Sequence, residues 1–106
     1  MAAKNITKQE FQELLKGSKP VLVDYWAHWC GYCRSIAPAY ERIGEEYSQT
    51  LEVVKINTDE EPELARAEQI EVIPTLVLYV DGKYAGSIVA PESATMIREF
   101  IEKTVV

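Results

Sequence analysis

The apolar segment from Val21 to Trp26 constrains the fold of this chain more than any other feature. Only Asp24 interrupts it, and such a run is typical of a strand that is buried on both faces of a sheet. A helical pattern extends from Cys30 to about Tyr47, with apolar residues every three or four positions. A buried strand followed by a helix predicts an α/β fold with helices packed against both faces of the sheet.

The rest of the chain continues this alternation of helices and strands. The sequence Thr7-Lys8-Gln9-Glu10 is a capping box, which predicts the start of a first helix that ends near Gly17. Further strands are predicted over residues 51–57, 75–80 and 84–89, and further helices over residues 59–69 and from Ser93 onward. The dipeptide Asp81-Gly82 is a hairpin signal, so the last two strands should be antiparallel.

These elements predict one domain, residues 1–106, with a central mixed sheet of four to five strands flanked by four helices. A binding or catalytic site is expected at the carboxyl ends of the parallel strands, where the segment after Trp26 lies. The residues of the first and last helices that are predicted to be buried are Phe11, Leu14, Leu15, Met96, Ile97, Phe100 and Ile101.

Composition narrows the class of partner and the compartment. The net charge of −6 disfavours nucleic acid and anionic membrane surfaces as binding partners. No stretch approaches the roughly 18 apolar residues of a membrane span, and residues 1–10 do not resemble a signal peptide. These observations predict a monomeric protein of the reducing cytoplasm.

Cys30 and Cys33 are the only cysteines, and two residues separate them at the start of the predicted second helix. Such a pair can form and break a disulfide, which indicates thiol–disulfide redox chemistry. A structural staple is one alternative, but closing so short a loop removes little entropy from the unfolded chain. A metal site is the other, and only His28 could join the two cysteines as a nitrogen or sulfur ligand, which leaves zinc short of its usual ligands.

Asp24 is a carboxylate among apolar neighbours in the predicted central strand. Burial would raise its pKa, because the charged form loses hydration, and Asp24 could then act as a base for Cys33 near neutral pH. Lys55, in the apolar run of residues 53–56, is the plausible charge partner. The alternative places Asp24 on a solvated edge strand, with a lysine that extends its charged end into water.

The motifs of the chain, in order, are Val23-Asp24-Tyr25-Trp26-Ala27-His28-Trp29-Cys30-Gly31-Tyr32-Cys33, Ile36-Ala37-Pro38, Val54-Lys55-Ile56-Asn57-Thr58-Asp59, Ile73-Pro74-Thr75 and Asp81-Gly82. Together they resemble the thioredoxin family over nearly the whole chain. The resemblance implies a thioredoxin fold and reduction of disulfides in target proteins, with electrons supplied by a thioredoxin reductase. No Gly-rich phosphate loop is present, so neither flavin nor nicotinamide is expected as a cofactor.

The resemblance also implies roles for particular residues. Cys30 is the attacking nucleophile, a role that its place at the helix start also favours, and Cys33 then releases the target. Lys55 lies near Asp24, and a cis peptide bond precedes Pro74 and faces the cysteines, although X-Pro bonds in general are mostly trans. Trp26 is predicted to be core. The residues predicted to bind the target are Trp29, Gly31, Tyr32, Ile73 through its backbone, Pro74 and Ala90.

The chain departs from the family pattern at this site. Gly31-Tyr32 stands between the cysteines where thioredoxins commonly have Gly-Pro, and we expect a somewhat more oxidising couple as a result. Ala90 stands where thioredoxins usually carry glycine, and Val72 replaces what is often a small residue, which should narrow the choice of partner protein. Two alternative functions stay open: a more oxidising domain of the oxidase or isomerase type, and a non-catalytic binding module with the thioredoxin fold.

Overall fold

The computed structural model describes residues 2–105, in which strands and helices alternate along most of the chain. The strands are β1 (Lys4–Asn5), β2 (Val21–Trp26), β3 (Glu52–Asn57), β4 (Thr75–Val80) and β5 (Lys83–Val89). The helices are α1 (Lys8–Leu15), α2 (Gly31–Glu46), α3 (Pro62–Ala67) and α4 (Ala94–Thr104).

The strands form one mixed sheet in the order β1-β3-β2-β4-β5. β2 lies at its centre, parallel to β3 and antiparallel to β4, and the hairpin makes β4 and β5 antiparallel. Both turn residues of the hairpin have positive φ, 54° at Asp81 and 78° at Gly82, as a tight two-residue turn of this type requires. The prediction of a mixed sheet of four to five strands with four helices is confirmed for residues 2–105.

Each face of the sheet packs against its own apolar cluster, because successive residues of a strand point to opposite faces. Leu22 of β2 belongs to the cluster that contains Ile43 of α2 and Ile97 of α4. Val23, the next residue, belongs to the cluster that contains Phe11 of α1 and Leu64 of α3. Two-sided burial of β2 explains why its sequence is apolar on both faces.

Several details differ from the sequence predictions. The short strand β1 was not predicted, and α3 ends before residue 69, where Gln69 takes a left-handed φ of 61°. Met96 is exposed rather than buried, and its sulfur accepts a hydrogen bond from the Glu92 amide at 3.3 Å. Trp26 is half-buried rather than core, since its indole N–H donates to Asn5 at 2.9 Å. Of the other helix residues predicted to be buried, Phe11, Ile97 and Ile101 are buried and Leu14, Leu15 and Phe100 are half-buried.

The predicted capping box of α1 is present and provides a test of local stability. The Glu10 amide donates to Thr7 Oγ1 at 3.2 Å, and the Thr7 amide donates to the Glu10 carboxylate at 3.0 Å. We expect Thr7→Ala to lower the free energy of unfolding by about 1 kcal/mol, because a helix amide loses its acceptor. Urea titration measures this change, and Ser18→Ala, at an exposed position outside the helices, is the control. Equal stability of Thr7→Ala and the wild type would contradict the prediction.

Candidate active site

Cys30 and Cys33 are joined by a disulfide at the junction of β2 and α2, with their Cα atoms 5.2 Å apart. The chain leaves β2 at the carboxyl end of the parallel β2–β3 pair and starts α2 with Cys30 as the N-cap residue. A site was predicted here, at the carboxyl ends of the parallel strands. Relative exposure is 7% for Cys30 and 3% for Cys33, so Cys30 is the more accessible residue.

The start of α2 favours negative charge on the Cys30 sulfur. The Cys33 amide donates to Cys30 Sγ at 3.1 Å, so the sulfur takes the place that a side-chain oxygen usually has at a helix N-cap. When the disulfide is reduced, the free amides and the dipole of this first turn stabilise a thiolate. The arrangement is suited to nucleophilic attack by Cys30.

Asp24 is a buried carboxyl group in the middle of β2. Only 1% of the residue is exposed, and its Oδ1 atom has no hydrogen-bond partner within residues 2–105. Burial raises the pKa of Asp24 from an ordinary value of 3.8 to about 7, and the positive charge of Lys55 partly offsets that effect. Such a group can take up and release a proton at neutral pH.

Lys55 is the direct neighbour of Asp24 in the register of the parallel strands β2 and β3. It is half-buried, and its Nζ atom lies 4.4 Å from the centroid of the Trp26 ring, which is a cation–π contact. The alternative of a solvated edge strand is wrong for Asp24, because β2 is the central strand and the carboxyl group is buried. Lys55 thus supplies a positive charge beside a carboxyl group that is poorly solvated.

The loop before β4 faces the disulfide. The Ile73–Pro74 peptide bond is cis, as the family resemblance implies. Cys30 Sγ lies 3.8 Å from the carbonyl oxygen of Ile73. Pro74 is buried, whereas Ile73 is half-buried. The backbone of Ile73 is therefore next to the sulfur that a target protein must reach.

Exposed apolar side chains surround the disulfide. Relative exposure is 68% for Trp29, 42% for Tyr32 and 53% for Val72. The Trp29 indole N–H donates to the Asp59 carboxylate at 3.0 Å, which fixes the orientation of the ring. A groove of about 350 Å³ lies between Trp29 and Ile73. Apolar surface of this kind is typical of a protein-binding site.

The turn between β5 and α4 borders the site from another side. Ala90 has a left-handed φ of 47°, and its amide donates to the carbonyl of Pro74 at 2.9 Å. The Tyr32 hydroxyl donates to the carbonyl of Pro91 at 3.0 Å. The sequence singled out Tyr32 and Ala90 separately. In the structure, a hydrogen bond joins Tyr32 to the turn that contains Ala90.

The remaining predicted residue, Gly31, is the exposed first residue of α2. An added Cβ there would meet only the Arg34 side chain, at 3.8 Å, so this glycine is not required by close packing. Sequence reasoning missed Asp59 as a site residue, because no local signal pairs it with Trp29, which is 30 positions away. It also missed the Pro91 carbonyl, since a backbone acceptor has no signature in the sequence.

Two further properties concern residues 2–105 as a whole. They contain no group of three or more His, Cys, Asp or Glu side chains that could hold a metal ion. None of their helices has the length and apolar character needed to cross a membrane.

Comparisons with known proteins agree with this geometry. The thioredoxin family model matches residues 2–103. Thioredoxin 1 of Synechococcus elongatus is 44% identical over 92 residues, which cover 87% of this chain and 86% of the relative. Thioredoxin 1 of a Nostoc species is 41% identical over 103 residues, or 96% of each chain. The thioredoxin of Streptomyces clavuligerus is 45% identical over 97 residues, or 90% of each chain. The chain belongs to the thioredoxin family.

Membership of this family, together with the paired Cys30 and Cys33, defines the class of activity. The protein is an oxidoreductase that acts by dithiol–disulfide exchange, and its function is that of a thioredoxin disulfide reductase. Its α/β fold is the thioredoxin fold that the resemblance implied. The two alternatives, an oxidase or isomerase-type domain and a non-catalytic binding module, are not favoured.

The raised pKa of Asp24 predicts a stability that depends on pH. Between an unfolded pKa of 3.8 and a folded pKa of about 7, the native state keeps a proton that the unfolded chain has lost. The contribution of this group to the free energy of unfolding is therefore fully present well below pH 3.8, falls as the pH rises between the two pKa values, and is lost above about pH 7. We expect Asp24→Asn to be more stable than the wild type at pH 8. Because a shift of one pKa unit corresponds to about 1.4 kcal/mol, the gain in the free energy of unfolding should be a few kcal/mol.

This gain should decrease as the pH falls and be smallest at pH 4, where the carboxyl group is neutral in the folded state and close to half protonated in the unfolded chain, whose pKa is 3.8. Urea denaturation at pH 4, 6 and 8 measures it. Glu45→Gln, which removes an exposed carboxylate from α2, is the matched control and should show no such trend. A constant difference between Asp24→Asn and the wild type at all three pH values would contradict the prediction.

Proposed function

We propose that this protein reduces disulfides in target proteins, with Cys30 as the attacking thiolate and Cys33 as the resolving thiol. The observation that carries the proposal is the position of Cys30. Its sulfur accepts a hydrogen bond from the Cys33 amide and lies beside the Ile73 carbonyl. Cys33 is more buried and lies one helical turn further along α2. It can therefore reach a bond that Cys30 has formed more readily than it can reach a target directly.

The reaction has two exchange steps. In the first, the Cys30 thiolate attacks one sulfur of the target disulfide, a mixed disulfide forms, and the other target sulfur leaves as a thiolate that takes a proton from water. In the second, Cys33 loses its proton and its thiolate attacks Cys30 Sγ, the bond between Cys30 and the target breaks, and the second target thiolate leaves and takes a proton from water. The target gains two electrons and two protons, and the protein is left with the Cys30–Cys33 disulfide.

Asp24 is the proposed acceptor of the Cys33 proton in the second step. Its pKa of about 7 supports this role, because a base is most effective when its pKa lies near the working pH. Its Oδ1 atom, which lacks a partner within residues 2–105, is able to accept a hydrogen bond. Lys55, its neighbour in register, is the proposed charge partner that limits the rise of that pKa.

The target docks on the surface around the disulfide. An extended target segment would pair with the backbone of Ile73 next to the cis Pro74, in the manner of an added strand. The half-buried position of Ile73 and the 3.8 Å distance from its carbonyl to Cys30 Sγ support this alignment. The other residues proposed to contact the target are Trp29, Gly31, Tyr32 and Ala90.

Electrons are proposed to come from a thioredoxin reductase, so that the protein serves as an electron carrier. We assign it to the cytoplasm, because a dithiol reductase needs a reducing compartment. A chloroplastic M-type thioredoxin of Chlamydomonas reinhardtii is 43% identical over 90 residues, so relatives also work elsewhere. A monomer of one domain, residues 1–106, fits the net charge of −6, which opposes self-association and binding to nucleic acid or anionic membranes.

Replacing each cysteine separately tests the two proposed roles. We expect Cys33→Ser to form a lasting mixed disulfide with a disulfide-containing target such as insulin, because the resolving thiol is gone. Cys30→Ser should form none and should lose turnover. Non-reducing gel electrophoresis and mass spectrometry detect the adduct. Adducts formed by Cys30→Ser but not by Cys33→Ser would reverse the roles, and full turnover by either variant would refute the mechanism.

The dipeptide between the cysteines provides a test of the reduction potential. Tyr32 keeps an amide donor in the first turn of α2, where proline has none, and such a donor stabilises the reduced thiolate form. We therefore expect a potential somewhat above the thioredoxin value of about −270 mV, and Tyr32→Pro should shift it back toward that value. Equilibration against defined thiol buffers measures both potentials, with Tyr84→Phe as the control. An unchanged potential in Tyr32→Pro would remove the basis for this expectation.

A further inference from the structure

The hydroxyl of Tyr32 connects two separate segments that border the disulfide. Tyr32 is the second residue of α2, and its hydroxyl donates to the Pro91 carbonyl at 3.0 Å, across 59 positions of sequence. A proline between the cysteines has no hydroxyl, so the common Gly-Pro dipeptide cannot make this bond. The contact is therefore specific to chains that place a hydroxyl-bearing side chain at this position.

The turn that receives this hydrogen bond, residues Ala90 and Pro91, is held from a second side as well. The Ala90 amide donates to the Pro74 carbonyl at 2.9 Å, which ties the turn to the loop that faces Cys30. Ala90 has a left-handed φ of 47°, a conformation that a residue with a Cβ keeps only when its surroundings hold it there. The two hydrogen bonds provide that support.

We propose that Tyr32 is a positioning residue that determines specificity for protein targets, because its hydroxyl holds the Ala90–Pro91 turn in the shape that receives them. The inference rests on the proposed function. Tyr32 is 42% exposed while its hydroxyl is bonded, so the residue contributes to the docking surface and its hydroxyl also holds that surface in place. A small disulfide that touches only Cys30 does not need the turn, whereas a protein segment lying along Ile73 extends toward it.

The physical basis is preorganisation. A turn that is already ordered loses little entropy when a target docks, whereas a freed turn has to be ordered at the moment of binding. Removal of the hydroxyl should therefore weaken target binding and leave the exchange between sulfurs less affected. The expected change is about 2- to 12-fold, which corresponds to the usual net contribution of one hydrogen bond.

The test compares Tyr32→Phe with the wild type in single turnovers of the pre-reduced protein, followed by tryptophan fluorescence. Insulin is the protein disulfide and oxidised glutathione the small one. We expect the insulin concentration at half-maximal rate to rise about 2- to 12-fold, with a smaller change in the maximal rate. The maximal rate divided by the half-saturating concentration should fall for insulin relative to oxidised glutathione by a similar factor. Tyr84→Phe, which removes an exposed hydroxyl bonded to Ser87, is the matched control.

An unchanged ratio in Tyr32→Phe would overturn the inference, and so would an equal loss with both disulfides, which would place Tyr32 in the sulfur chemistry. Amide hydrogen exchange provides an independent readout, since Ala90 should exchange faster in Tyr32→Phe than in Tyr84→Phe. Equal exchange would show that the hydroxyl does not hold the turn. If the wild type reduces neither disulfide, the proposed function itself fails, which is a different outcome.

Discussion

Pairing of β2 on both sides is the constraint on which the rest of the structure depends. Because β2 lies between a parallel and an antiparallel neighbour, both of its faces are covered and its chain direction is set. Its carboxyl end leads directly to Cys30 at the start of α2, and the antiparallel β4 brings Pro74 to the same edge of the sheet. The position of the disulfide is thus a consequence of strand order.

The same central position creates the electrostatic conflict of the site. Asp24 occupies a point in β2 where water is excluded, so its charged form is unstable and its pKa is raised. Lys55 relieves this only in part, because the loss of hydration outweighs the attraction of its charge, and its ammonium also lies against the Trp26 ring. A carboxyl group that lowers stability at neutral pH is thereby available as a proton acceptor, which is a frequent compromise between stability and function at active sites.

The departures of this chain from the common thioredoxin pattern are structurally connected. Tyr32 replaces a proline and contributes a hydroxyl, and Ala90 replaces a glycine yet keeps a left-handed backbone. A methyl group at Ala90 makes the turn harder to maintain, whereas the hydrogen bond from Tyr32 to Pro91 helps to maintain it. The Tyr32 hydroxyl thus offsets part of the cost of the methyl group at Ala90, and both residues belong to the surface proposed to meet a partner protein.

The sequence by itself determined the order of helices and strands apart from β1, the capping box at Thr7, the apolar character of β2 on both faces and the chemistry of Cys30 and Cys33. These features follow from local periodicity and residue spacing, which are present in each segment of sequence whatever the rest of the chain does. Only the tertiary structure decided that Asp24 is buried, that Met96 is exposed, and which partners Trp29 and Tyr32 bond. Those properties depend on packing between segments 30 or more positions apart or on the path of a loop, and short-range patterns do not encode such distances.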